Sequence, residues 1–433
     1  MENILARAEK AASEAEVFMV SSEETSVQFE ANRLKHIQSK QITIVALRII
    51  REGRIGHAMA TQLGDSENLV KAAVETSQFG MIARFELPSL TSYPRIEIFD
   101  SSIELVSTEE MTKLGEELIT MIRGHTPDLV CEAGVTRITA TVRIMNSRGG
   151  LASYKQSIFG LGIEGQLIRD TDMLFVGESQ SSCHPILEPD IVTQPVLQQL
   201  ELAKTQASVP TRSLPVIFTP DGVASALILP LTAAFNGKTV LEGASPIGDK
   251  LGQLVFDEKL HLRDDPTIAY RPGSHPCDDE GVPSQRTPLI ERGVASNFLY
   301  DLQTAALAHT RSTGNGRRSQ GGLPAPSPSA LIITPGSTTF DDMVSDIKEG
   351  LVIEQLMGAG QGNVLGGDFS GNVLLGYKVE NGKMVGRVKD TMVSGNIYQL
   401  LKQIAAIGND AKWIGGFLNT PPLYFPGVSV AAK

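Results

Sequence analysis

Residues 41–61 read QITIVALRIIREGRIGHAMAT. Two extended runs, 41–51 and 54–61, flank Glu52-Gly53, where glycine's freedom at positive φ lets the chain turn back. The first run alternates only in part and is dense in Ile and Val, so one face or both is buried. Working outward, two more strand-like runs precede it, at 16–21 and 25–31, behind an Ala- and Glu-rich helix over 2–15. A helix over 66–79 follows, with Ser66 as N-cap and Leu69, Ala72, Ala73 and Thr76 on one face. A second spans 108–123, opened by the capping box of Ser107 and Glu110. Strand material returns at 129–144 and 157–168, and 188–207 reads as a long helix that Pro195 must start or kink. The order helix, strands, helix, strands, helix predicts an α+β arrangement and not a βαβ wind.

At 433 residues with 41% hydrophobic side chains, the chain can fill two cores. The pattern breaks near 208–213, which predicts an α/β N-terminal domain over 1–210 and a mainly β C-terminal domain over 211–433. The second half opens with a strand over 214–219 and a helix over 221–235. It contains two long irregular loops, 263–288 and 311–329, of the kind that is either functional or disordered. Asn381-Gly382 between extended runs marks a hairpin, and 397–407 reads as a late helix.

A net charge of −11 opposes duplex binding, which draws its affinity from neutralised phosphates. Aromatic content of 5% leaves little for stacking platforms. The one dense basic spot, Arg311, Arg317 and Arg318, reads as a solvated loop. Three cysteines, Cys131, Cys183 and Cys277, make no disulfide framework and fit a reducing compartment. The opening Met1-Glu2-Asn3 lacks a basic leader, and no apolar run reaches bilayer length, so a cytoplasmic protein without membrane contact is expected.

Familiar catalytic motifs fail one by one. Gly237-Lys238-Thr239 has Thr232 where a phosphate loop needs glycine. The glycines at 358, 360, 362, 366 and 367 break the dinucleotide pattern at Asn363. Ser370 has Asp368 where a nucleophile elbow needs glycine, and Ser345 with Lys348 reads as a solvated helix face. None of the seven histidines stands three or four residues from another, the spacing that puts two zinc ligands on one helical face. Cys183-His184 and His275-x-Cys277 lack a third local ligand. Asp278-Asp279-Glu280-Gly281 is the most informative cluster: three loop carboxylates that can hold a cation or basic groups, or cap turns.

That cluster, extended as Asp278-Asp279-Glu280-Gly281-Val282-Pro283, is followed by Leu289-Ile290-Glu291-Arg292-Gly293 and Thr313-Gly314-Asn315-Gly316. Then come Glu354-Gln355-Leu356-Met357-Gly358, Gly367-Asp368-Phe369-Ser370, Ser394-Gly395-Asn396 and Ile407-Gly408-Asn409-Asp410. In this order the segments resemble the TldD/PmbA family, once called modulators of DNA gyrase; the first half matches more loosely, at Leu47-Arg48 and Gly53-Arg54-Ile55-Gly56. The resemblance implies an α/β N-terminal domain, a largely β C-terminal domain and dimers built across a shared cavity. In the family's metal-bearing branch a helix carries H-E-x-x-x-H, a late Cys completes the zinc site, and the Glu acts as general base on zinc-bound water. Here the equivalent helix, 221–235, has neither His nor Glu, and no Cys follows Cys277, so no metal ligand and no catalytic residue carries over.

The resemblance therefore implies the PmbA/TldE-like branch: a non-metal-binding subunit of a zinc metallopeptidase, with zinc on a TldD-like paralogue and none on this chain. Such a subunit would help to enclose and grip an extended or unfolded peptide, by main-chain pairing at a strand edge. Asp279, Glu280, Arg286 and Asn315, in the two long loops, are the candidate peptide contacts. The alternatives are a homodimer that binds peptides or small ligands without hydrolysis, and direct modulation of gyrase, which the acidic charge opposes. Hydrolysis by the Asp278–Glu280 carboxylates alone lacks a positioned electrophile stabiliser.

Overall fold

The computed structural model describes residues 1–432. The 41–61 hairpin is the edge of a six-stranded antiparallel sheet. Its strands are β1 (Glu14–Glu30), β2 (Arg33–Arg51), β3 (Arg54–Ala60), β4 (Val130–Asn146), β5 (Leu151–Arg169) and β6 (Asp172–Ser182), in the order β3-β2-β1-β4-β5-β6. Side chains alternate across a strand, so residues two apart share a face. One face carries Val17, Met19, Val27 and Phe29 of β1 and is covered by helices. α1 (Glu2–Ala8) and α2 (Ser66–Ser77) pack at one end, α3 (Thr108–His125) and α4 (Asp190–Leu202) at the other. The opposite face carries Phe18, Ala46, Val142 and Ile144, and against it lies Cys277, from the long loop of the second half.

In the second half, strands Arg212–Phe218, Glu349–Met357, Asp368–Glu380, Thr391–Asn396 and Leu423–Ala432 pair in a path that closes on itself, because Glu349–Met357 also pairs with Asp368–Glu380. Helix α5 (Pro220–Ala234) packs Val223, Leu227 and Leu231 against Val216, Phe218, Leu351 and Ile353. The alternate residues Ile217, Val352 and Tyr377 join the core under α3 and α4, so a continuous interior links the two halves. A smaller six-stranded sheet, including Leu262–Asp264, Thr287–Glu291 and Lys412–Ile414, completes the fold. The α+β class is as expected, and the second half is strand-rich. No helix among the described residues is long and apolar enough to cross a membrane.

Several element bounds differ from the sequence reading. The runs at 16–21 and 25–31 are one strand, because Ser22, Glu23 and Glu24 pair on both sides, with β2 and with β4, although their side chains are polar. β2 begins at Arg33, eight residues earlier than its apolar run, since the exposed stretch pairs its main chain with β1, where Ser39 also meets the Thr25 hydroxyl at 3.2 Å. Asp65, not Ser66, caps α2, accepting from the Asn68 amide at 3.3 Å. α1 stops at Ala8, and the late helix covers only Ile397–Leu400 before the chain returns to a strand. Pro195 sits inside α4, which ends at Leu202. The capping box of Ser107 and Glu110 forms as read, and so does the Asn381-Gly382 turn, with φ of 49° and 77°.

Candidate functional site

Glu16 and Arg48 face each other across β1 and β2, on the sheet face turned toward the second half. Both are fully or almost fully buried. Arg48 donates to Glu16 Oε2 at 3.0 Å and to Glu280 Oε1 at 2.6 Å. Arg318 donates to the other Glu16 oxygen, and its amide bonds Asp279 Oδ2 at 2.7 Å. The Leu302 amide bonds the remaining Glu280 oxygen at 2.7 Å. Asp278 accepts from the amides of Glu280, Val282 and Gly316 at 3.0, 2.9 and 2.9 Å. Asn315 donates to Asp264 at 2.6 Å, and Asp264 also accepts from the Ser329 and Ala330 amides.

Burial drives the titration here. It pushes the Glu280 carboxyl up to about 7 against the pull of Arg48. Burial, with Glu280's charge beside it, lifts Asp278 well above the usual carboxylate range. Burial first, then Arg317, holds His275 well below its ordinary value, as a neutral ring between the Ser284 and Ser329 hydroxyls at 2.9 Å each.

The sequence candidates are thus placed as follows. Asp279, Glu280 and Asn315 lie in the interior, with Asp279 and Glu280 bonded to arginine and main-chain groups and the Asn315 amide donating to Asp264; Arg286 is exposed. The supposed solvated basic spot is divided. The Arg318 side chain is fully buried, Arg317 is partly exposed beside Asp279 at 3.5 Å, and Arg311 lies outside the network on the surface. The loop reading missed this because a buried loop must satisfy its polar groups internally, and the partners that do so, Glu16 and Arg48, stand more than two hundred residues away. Of the Cys/His pairs, Cys183, His275 and Cys277 are interior and His184 is exposed. Cys183 is buried, its thiol pushed up to about 12 by burial, and His184 bonds Asp100 at 2.6 Å. Among the described residues no three His, Cys, Asp or Glu side chains converge as a metal would require.

A second cluster lies at the start of α5. Thr219 caps the helix and Pro220 opens it, which places Asp221 in the first turn. Lys412, from the smaller sheet, donates to Asp221 at 3.1 Å and also to Glu178 of β6. Burial opposes the Lys412 charge, but Asp221 and Glu178 outweigh it and hold the ammonium protonated. Burial raises Glu178, with Lys412 pulling the other way. Close by, burial first and Asp221 second push half-buried Glu354 up to about 7, although the Gln199 amide donates to it at 2.9 Å. Beside this cluster opens a cleft of about 710 Å³, walled by Gly134, Gly162, Glu164 and Gly177 of the first sheet and by Asp221 and Gln355 of the second half. The residues here do not fit a zinc ion: beyond Asp221, α5 is almost wholly apolar, and Asp221 is already paired with a fixed ammonium.

Comparison with known proteins follows the same outline. Residues 211–432 match the profile of the PmbA/TldA metallopeptidase C-terminal domain, and residues 15–77 match domain 1 of the same group. An uncharacterised protein of Methanocaldococcus jannaschii is 28% identical over 99% of both chains. A metalloprotease PmbA homologue of Haemophilus influenzae is 26% identical over 94% of this chain and 89% of its own. The crystal structure of TldE from Thermococcus kodakarensis superposes with a TM-score of 0.89 at 22% identity over the whole of both chains, a likeness of fold.

Proposed function

The chain belongs to the PmbA/TldD metallopeptidase family, and from that premise we propose that it is the non-metal-binding subunit of a zinc peptidase that processes unfolded peptides. One observation carries the reading. Where the metal-bearing branch is expected to carry a histidine and glutamate helix, α5 behind Asp221 is apolar apart from the Ser225 and Thr232 hydroxyls, and Lys412 neutralises that carboxylate. A metal-bearing paralogue supplies the zinc and the activated water. This chain, divided near residue 210 into an α/β and a mainly β domain, supplies part of the enclosing wall and holds the peptide extended. Strand edges grip main chain without regard to side-chain sequence, which suits a mixed pool of unfolded substrates. Of the four sequence candidates, Arg286 is the one exposed to meet such a peptide. The reading places its work in the cytoplasm, where the three free cysteines stay reduced.

The test is co-expression with a paralogue from the same organism that carries H-E-x-x-x-H, followed by native mass spectrometry. A stoichiometric hetero-oligomer is the expected result. Two separate homo-oligomers with no mixed species would instead favour the homodimeric binding protein.

A further inference from the structure

The first sheet has a gap in its pairing. β6 pairs with β5 only from Phe159 onward, so the start of β5, Leu151 to Ser157, has one edge that β6 does not cover. The chain that runs beside this edge, residues 89–98, is tied to it at both ends. Ser89 bridges Gly149, and the Asn146 amide holds the Pro88 carbonyl at 2.8 Å. At the other end the Ser157 amide bonds the Ile98 carbonyl at 3.0 Å, and the Asp100 amide bonds the Ser157 hydroxyl at 2.9 Å. The segment between the ties, Ser89 to Ile98, is one residue longer than the stretch it spans, Gly149 to Ser157. Between them opens a slot of about 850 Å³, lined by Tyr93–Phe99 and Ala152–Lys155, with Thr267, Ala269, Tyr270 and Pro276 of the second half along a third side. That volume lies within the usual range of a ligand pocket.

Strand geometry says which groups face the slot. The N–H and C=O of one residue point to the same edge, and those of its neighbour to the other. Because the Ser157 amide points at Ile98, the main-chain groups of Ser153 and Lys155 point into the slot. Among the described residues, no main-chain hydrogen bond joins 90–97 to 151–156. Unpaired strand edges of this kind template a further strand.

We propose that this slot receives a segment of extended polypeptide, which pairs its main chain with Ser153 and Lys155 and lies between β5 and the 93–99 segment. The inference rests on the peptide-holding reading above and names the place where the peptide is held. Recognition is through main-chain groups. Lys155, Arg95 and Glu97, all exposed at the mouth, leave substrates of either charge tolerated.

The experiment is hydrogen–deuterium exchange, read by mass spectrometry, on the full chain with an eight-residue unstructured Ala/Ser/Thr peptide. A second peptide of the same sequence carries N-methyl groups on alternate amides. A Lys155→Pro variant removes one N–H from the slot edge while leaving the β4 ladder intact, because Pro lacks only that donor. Slowed exchange in both 93–99 and 151–156 with the plain peptide is expected, lost with the N-methylated peptide and lost in folded Lys155→Pro. Equal protection by the N-methylated peptide overturns the proposal, on the unaltered chain and whatever the fate of the variant. Protection elsewhere, with both walls unchanged, overturns the slot and leaves the peptide reading standing. No protection anywhere overturns the slot and counts against the peptide reading as well.

Discussion

The acids around Arg48 and the acids around Lys412 both bring carboxylates of the first sheet to basic side chains, and they differ in what lies beside them. Glu16, Arg48, Glu280 and Arg318 are sealed between the first sheet and the 278–318 loops, with nearly all their polar atoms bonded within the chain. Glu178 and Asp221 line an open cleft with Lys412 and Glu354 close behind them, and Asp221 and Lys412 keep partial contact with water. A buried ion network of the first kind fixes one element against another, because removing a single partner strands charges that cannot be resolvated. The second kind leaves groups near neutrality within reach of a ligand. The conspicuous acidic motif belongs to the joint, and the cluster beside the cleft is built from residues that no short motif connects.

The largest effect separating the two should come from Arg48→Met. Glu16 and Glu280 would both lose their shared cation, and we expect a loss of about 3–5 kcal/mol in urea unfolding. A loss no larger than that of an exposed substitution would mean that water enters the joint. Lys412→Met should cost less, about 1–3 kcal/mol, since its pair is partly exposed on the cleft side. That cost should shrink as pH falls toward the raised range in which the Glu178 carboxyl takes up its proton, because a protonated Glu178 needs no partner. A cost independent of pH would break the comparison.

Glu354→Gln tests the same cluster through linkage. A carboxyl raised from 4.5 to about 7 adds stability below pH 4.5, and that contribution is lost as pH rises through 7. The Gln variant should therefore match the parent near pH 4 and exceed its thermal midpoint at pH 8. An equal midpoint at both values would place Glu354 in contact with bulk water. The smallest effect belongs to Arg286→Ala, which should leave stability within about 0.5 kcal/mol while weakening peptide capture. Unchanged capture would remove Arg286 from the peptide surface.

Local chemistry made much of the fold legible. The Ser107 and Glu110 box, the Asn381-Gly382 turn and the Ile/Val density of β2 each follow from interactions a few residues long. What stayed hidden depends on distant partners. Nothing near Asp279 or Glu280 reveals that Arg318 and Arg48 bury them, and the exposed half of β2 shows no apolar pattern because pairing with β1, not burial, holds it. The motif at 278–283 was legible as a family mark but not as a joint. The cluster of Glu178, Asp221, Glu354 and Lys412 is assembled from four separate elements and left no signal to read.

The most direct test of the central claim is zinc content together with cleavage of an unfolded peptide. Both are measured for the purified chain alone and for the chain mixed with a metal-bearing paralogue from the same organism. No zinc and no cleavage by the chain alone, with cleavage in the mixture, is the predicted result. Stoichiometric zinc and peptide cleavage by this chain alone would contradict it.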